Sequence, residues 1–205
     1  MKKEAQEKWK YDEMMNFFEY KTLLVNTLDK LNFDNINAAN LNIFRNIVQQ
    51  NPIILFGNGG SASIANHWVT DLSKGISEDT NFKCKAYSLS SNYSLITAIA
   101  NDIGYEYIYE RQLEYLQYHK GIAVAISSSG NSENIVKAVK KAKELGLFTI
   151  GLTGFTGGKV KDLVDLSIHV PCNNYGVVED IHMMVLHSIS QNIRSLYNNK
   201  NDIKL

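Results

Sequence analysis

Apolar residues recur at helical spacing through residues 11–50, where Met14, Phe17, Phe18, Leu23, Leu24, Leu28 and Leu31 make a first run. Residues 32–35 break that run. A second helix carrying Leu41, Phe44, Ile47 and Val48 is expected to end near Asn51 and Pro52. After Pro52 the pattern changes. Short apolar runs at 53–56, 85–89, 122–126, 148–152 and 166–170 alternate with helical stretches at 62–72, 93–100, 105–118, 133–145 and 177–197. Strands that are apolar throughout, each followed by a helix, are buried on both faces, which is the condition of a parallel sheet covered on both sides. The expectation is an α/β fold: a doubly wound, mainly parallel five-stranded sheet with N-terminal helices. One domain is expected over 1–205, with a helical extension at about 11–50 and an α/β core at about 53–197. The extension is too small to be a domain alone, so it either covers the sheet or packs against another subunit.

Composition narrows the partners. The chain has 205 residues, long enough for a sizeable core, and is 44% hydrophobic and 20% charged. Its 21 basic and 21 acidic side chains cancel, so no basic stripe argues for a nucleic-acid or membrane partner, and neither is expected. Lys137, Lys140, Lys141 and Lys143 form the solvated face of a helix whose apolar face is Val136, Val139, Ala142 and Leu145. The start, Met1-Lys2-Lys3-Glu4, lacks the apolar core of a signal peptide, and no run of 18 apolar residues occurs. Cys84 and Cys172 are too few for a disulfide framework and are expected as free thiols, which places the chain in the cytoplasm.

Ligands of doubly wound sheets collect at the carboxyl ends of strands, where loops lead into helix N-termini. Two such loops stand out: Gly57-Asn58-Gly59-Gly60-Ser61 after the first strand, and Ser127-Ser128-Ser129-Gly130-Asn131-Ser132 after the third. The second gathers hydroxyls and free N–H groups at the positive end of a helix dipole, which suits a phosphate dianion without any lysine. Neither loop fits the dinucleotide or P-loop fingerprints. Taken singly, each is equally well a tight turn with a Ser or Asn cap. Two of them, both placed after strands, weaken that reading.

At these residues the chain resembles the sugar isomerase (SIS) domain family, and within it the phosphoheptose isomerases. The likeness runs from the N-terminal helices to about Arg194. It rests on the two loops, on His67 four residues before an acid, on the string from Leu95 to Tyr105, on Leu152-Thr153-Gly154 with Gly157-Gly158, and on a last helix with His182 and His187. The resemblance implies an aldose–ketose isomerase acting on a sugar phosphate and feeding surface-glycan heptose synthesis. It implies that Asn58, Gly59, Gly60, Ser61, Asn101 and Asp102 contact the sugar, and that Ser127, Ser128, Ser129 and Ser132 hold the phosphate. It places His67, Asp71, Glu179 and His187 at a divalent metal, zinc, with Asp71 and His187 as the proton-transfer groups. It also implies a homo-oligomer, a tetramer, with sites at subunit interfaces. This chain departs from the family in having Asp71 for Glu, Glu179 for Gln, and Gly176-Val177 where the heptose isomerases carry Asp-Arg. Two other readings share these loops: an isomerase of a different sugar phosphate, and a non-catalytic protein that senses a phosphosugar or grips a protein partner.

Read from their own chemistry, His67 and Asp71 are four apart on one helix and share a face, which suits a metal, a positioned base, or merely a weak surface pair. Glu179 and His187 are eight apart, about 12 Å of rise and roughly 80° of rotation on a regular helix, so one chain does not easily bring both to one ion. Either Glu179 lies on a non-helical lead-in, or another subunit completes the site. His119 and His169 are assigned to a turn and a strand. His182 is either bonded to a carboxylate neighbour or orients a ligand from behind. Asp180 is taken as a surface or capping acid, and the tyrosines, Tyr105, Tyr107, Tyr109, Tyr115 and Tyr118 among them, as packing.

Overall fold

The computed structural model describes residues 15–202, with side chains through 197, so Tyr11 and Met14 of the first apolar run lie outside the described residues. The chain opens with α1 (Phe17–Leu28) and α2 (Phe33–Val48), then alternates strand and helix: β1 (Ile53–Gly57), α3 (Gly60–Thr70), a π-helical turn (Asp71–Ile76) running into the short α4 (Ser77–Asp79), β2 (Ala86–Ser88) and α5 (Tyr93–Asp102). A 3-10 turn (Tyr105–Tyr107), α6 (Glu110–Leu116), β3 (Ile122–Ser127), α7 (Glu133–Glu144), β4 (Phe148–Thr153), α8 (Gly158–Leu163), β5 (Leu166–His169) and α9 (Tyr175–Asp202) complete it. The strands form one parallel sheet in the order β2-β1-β3-β4-β5, the expected doubly wound architecture.

The strands are apolar throughout because alternate residues feed two cores. Ile53, Leu55, Ile122, Val124 and Ile126 face Ala39, Ile43 and Ile47 of α2, Trp68 of α3, and Ile181, Leu186 and Ile189 of α9. Ile54, Phe56, Ala123 and Ala125 face Ile135, Val136, Ala138, Val139 and Ala142 of α7, with Leu113 of α6 and Val160 of α8. Each fully buried Ile, Leu or Phe contributes roughly 1.5–3 kcal/mol, so both faces hold the sheet in register.

Several local expectations are revised. The second strand is shorter than the 85–89 run, although both ends of the run still bond to β1, Ile53 N to Lys85 O and Leu89 N to Leu55 O at 2.9 Å each. The break between the first helices falls earlier, since the Asn32 side chain accepts from the Asn35 N–H and starts α2. Leu41 and Val48 are exposed, whereas Ala39, Ile43 and Ile47 face the core. The 105–118 stretch is a 3-10 turn and a separate helix, closed at Gln117 by a left-handed backbone (φ 52°). A helix, α8, occupies the Gly158 segment, where no helix was expected. Three of the four lysines of α7 are tethered, while Lys140 is exposed: Lys141 reaches Glu144 at 2.6 Å and Glu114 at 3.2 Å, Lys143 reaches Asp165 at 2.6 Å, and Lys137 lies over the Tyr107 ring. Both cysteines are free. Among the described residues no helix is long and apolar enough to cross a membrane.

Candidate active site

The strand order reverses at β1. From it the chain passes outward to β2, then crosses to β3 on the other side. The loops leaving β1 and β3 therefore part to opposite faces and open a crevice between them. Gly57 at the end of β1 lies opposite Ile126, next to the start of the serine loop. A cavity of about 150 Å³ fills this crevice, lined by Asn58, Ser61, Ile126, Ser127, Ser128, Ser129, Ser132, Tyr175 and Glu179. A larger cleft of about 450 Å³, bordered by Arg45, Lys120 and Phe148, lies at the amino end of the sheet, away from both loops.

The serine loop gathers hydroxyls and N–H groups at a cavity with no lysine or arginine in its lining, an arrangement able to hold an anion. Ser127 and Ser128 are buried, and the Ser128 hydroxyl has no hydrogen-bond partner among the described residues. A buried polar group left unpaired costs about 1–3 kcal/mol, so such an atom calls for an absent partner. Ser132 stands at the N-cap of α7, yet its side chain makes no capping bond. That leaves its hydroxyl and the N–H groups of Glu133 and Asn134 available to a ligand, the Ile135 N–H being bonded to the Ser132 carbonyl at 3.0 Å.

The glycine loop is pinned to the serine loop by a residue that the sequence did not single out. Asn58 Nδ2 donates to Asn134 Oδ1 at 2.9 Å, and Asn134 Nδ2 donates back to Asn58 Oδ1 at 2.9 Å. Tyr105 Oη also donates to Asn58 Oδ1 at 3.3 Å, and Tyr109 Oη lies 3.3 Å from the same oxygen. The Asn58 oxygen is thus occupied, and what its side chain still offers a ligand is an N–H donor. Tyr109 also donates to the Gly57 carbonyl, which takes a second bond from Ser90 Oγ at 3.0 Å. Two tyrosines read as packing therefore hold the loop. The available signal was Asn134 itself, a polar side chain on the buried stripe of α7 beside Ile135 and Val136.

Glu179 comes to this cavity from α9. A Cβ at position 60 would lie 2.3 Å from Glu179 Oε2, so the Glu179 carboxylate packs directly over the second glycine of the pair. Burial first, and then Asp180, push the Glu179 carboxyl above its ordinary range.

A second group of side chains lies where α3 meets α9. His67 Nε2 and His187 Nε2 are 3.1 Å apart, and Asp71 Oδ2 is 3.8 Å from the first and 3.4 Å from the second. One ligand atom from each lies within 4.8 Å of the others. Zinc–nitrogen bonds of about 2.0–2.1 Å in a tetrahedron separate ligand atoms by roughly 3.3 Å, so two imidazoles and a carboxylate at these spacings fit a divalent ion with one position open. Trp68 Nε1 donates to Ser190 Oγ at 2.9 Å in the buried seam beneath, which fixes the two helices in register beside His67 and His187. Asp71 opens the π-helical turn, a feature frequent at functional sites.

Of the expected site residues, the structure brings Asn58, Ser61, Ser127, Ser128, Ser129, Ser132 and Glu179 to one cavity, and His67, Asp71 and His187 to one cluster. Gly59 and Gly60 form the turn between strand and helix, with Gly59 at φ 54°. Glu179 is not in the histidine cluster, although α9 is continuous from Tyr175. Asn101 and Asp102 are exposed at the end of α5, bonded to each other at 2.7 Å, and do not line the cavity. His182 is fully buried, neither of its ring nitrogens bonded to a carboxylate, and burial pushes its pKa down to about 4. Asp180 is no cap. It accepts from Tyr20 Oη at 2.6 Å and ties α1 to α9.

Comparison with known proteins agrees with this geometry. The SIS domain family profile matches residues 16–154. A phosphoheptose isomerase of Helicobacter pylori (strain Shi470) is 36% identical over 192 residues, covering 90% of this chain and 95% of the relative. Two solved structures, the phosphoheptose isomerase GmhA of Neisseria gonorrhoeae and a phosphoheptose isomerase of Francisella tularensis, superpose with TM-scores of 0.78 and 0.80. Each is 27% identical and covers 87% of this chain and 95% of its own.

Proposed function

The chain belongs to the SIS domain family, and from that premise we propose that it is an aldose–ketose isomerase of a phosphorylated sugar. The substrate is sedoheptulose 7-phosphate and the product D-glycero-D-manno-heptose 7-phosphate, made in the cytoplasm for surface-glycan heptose synthesis. The observation that carries this reading is the serine cavity, in which the buried Ser128 hydroxyl has no partner among the described residues.

In this reading the hydroxyls of Ser127, Ser128, Ser129 and Ser132, with the N–H groups of Glu133 and Asn134, hold the phosphate dianion. Asn58 donates to a sugar oxygen, and Gly59, Gly60, Ser61, Asn101 and Asp102 complete the sugar contacts. The isomerisation moves a proton between C1 and C2 through an enediol(ate), which takes a base, and an acid for the oxygens. Asp71 serves as the base through the carboxylate oxygen not given to an ion, and His187 carries the oxygen proton on the ring nitrogen not given to one. His67, Asp71 and His187 would hold a divalent ion, zinc, which when bound supplies electrophilic stabilisation of the developing oxyanion. Glu179, fourth in the implied ligand set, lies in the serine cavity of its own chain, which favours a site completed between chains.

We therefore assign a homotetramer, with residues near His187 facing a neighbouring chain. Phe17 and Phe18 of α1 are 83% and 72% exposed, more apolar surface than a solvent-facing cover needs. Light scattering tests this: a monomeric mass in an active sample would refute it. The reaction is tested by incubating metal-loaded protein with sedoheptulose 7-phosphate and following the aldose by NMR. Tight binding without any aldose would replace the isomerase with a phosphosugar sensor.

A further inference from the structure

The serine cavity is small. At about 150 Å³ it falls well short of the roughly 300–1,000 Å³ typical of small-molecule sites. It has room for the phosphate end of a ligand, and the carbon chain must leave past the rim. Every side chain lining it is polar except two: Ile126 and Tyr175. Ile126 is buried in the sheet, whereas Tyr175 is 60% exposed.

The Tyr175 ring is held in place. It belongs to the first residue of α9, and α9 is tied to α1 through the Tyr20–Asp180 hydrogen bond. Tyr20 of α1 packs close beside position 176, where a Cβ would lie 3.0 Å from Tyr20 Oη. Behind Tyr175 stands Phe155, ring centroid 4.6 Å away and tilted by 58°. Phe155 adopts φ 49°, a left-handed conformation that is an outlier for a bulky residue, and its N–H bonds to the Cys172 carbonyl at 3.0 Å. The loop carrying Phe155 is bonded to the serine loop through Gly154 N to Ser128 O at 2.8 Å. The two rings thus make an aromatic wall fixed to the phosphate cradle itself.

We propose that Tyr175, backed by Phe155, is a specificity-determining residue, the wall against which the carbon chain of the phosphosugar lies. The carbons of a polyol chain carry C–H bonds polarised by their oxygens, and these pack favourably on the negative face of an aromatic ring. The cradle reads the phosphate, and the wall selects for a chain behind it. This inference rests on the phosphosugar reading of the cavity, so its test includes a control for that reading.

Calorimetry is run with inorganic phosphate and with sedoheptulose 7-phosphate on the wild type, Tyr175→Ala, Tyr175→Phe and the Ser129→Ala/Ser132→Ala double variant. Tyr175→Ala is expected to weaken the sugar phosphate about five- to tenfold, in line with an aromatic contact of this kind, while phosphate affinity stays within twofold. Tyr175→Phe should keep wild-type affinity for both, because the ring and not the hydroxyl makes the contact. Equal losses for the two ligands in Tyr175→Ala, or none for either, would overturn the wall while the serine variant still loses both. Should the serine variant retain both ligands, the cavity is not the phosphate site, and the inference falls with that reading.

Discussion

The serine crevice and the histidine cluster sit in one chain but are built in opposite ways. The crevice is made of loop backbone, hydroxyls and amides at the ends of buried strands, with the Glu179 carboxylate beside them, and its serines carry no charge. The cluster is made of titratable side chains on two helices, with side-chain exposures of 52% for His67, 24% for Asp71 and 46% for His187. A preorganised neutral cradle can hold a dianion in one geometry with little reorganisation, because its donors are fixed by the sheet. Proton transfer needs groups that change charge, and these tolerate solvent better than burial. On the proposed function the difference separates binding from chemistry, and substitutions on either side should respect it.

The largest effect is expected on the helix side. His187→Ala or Asp71→Ala should lower kcat by about 10²–10⁴, the range of a lost acid or base, and leave sugar-phosphate affinity within a few-fold. Steady-state kinetics beside calorimetry checks this, and wild-type turnover in both variants would erase the division.

On the crevice side, Ser129→Ala with Ser132→Ala should reduce affinity by about 100-fold or more. Each charge-assisted hydrogen bond is worth roughly 1.5–3 kcal/mol. Thermal melts should change little, since the Ser132 side chain makes no capping bond and Ser129 Oγ accepts only from the Asn131 N–H at 3.3 Å.

A finer test lies between the loops. Asn134→Ala removes both hydrogen bonds to Asn58, each worth about 0.5–1.5 kcal/mol net. It should cost about tenfold in kcat/KM for the sugar phosphate. Inorganic phosphate should bind as before, because Asn134 positions Asn58 and not the serines. Equal loss for both ligands would mean that the amide pair supports the whole crevice.

The smallest effect on binding and turnover is expected from the helix that serves both regions, where the change falls on stability instead. His182 lies on α9 between Glu179 and His187, and burial holds its pKa at about 4, below the usual 6.5. The unfolded chain takes up that proton between pH 6.5 and 4 while the folded chain does not. Stability is therefore full above pH 6.5 and falls as the pH drops toward 4, by on the order of 3 kcal/mol. Urea titrations across this range should show that slope, and His182→Gln should flatten it.

Much of this was legible in the chain. Strands apolar on both faces, each followed by a helix, dictated a parallel sheet, because backbone and side chains then have no other way to be satisfied at once. The two loops were legible too, since two Gly- and Ser-rich turns both follow strands of one parallel sheet, and so was the shared face of His67 and Asp71, since i and i+4 are neighbours on any helix. What only the tertiary structure decided depends on partners far apart in sequence. The Asn58–Asn134 pair spans 76 residues and the His67–His187 contact 120, and no local spacing encodes either. The rotation of α9, set by Trp68 on Ser190 and by Tyr20 on Asp180, sends Glu179 to the crevice and His187 to the cluster. Helical periodicity fixes which residues share a face. Packing alone fixes what that face meets.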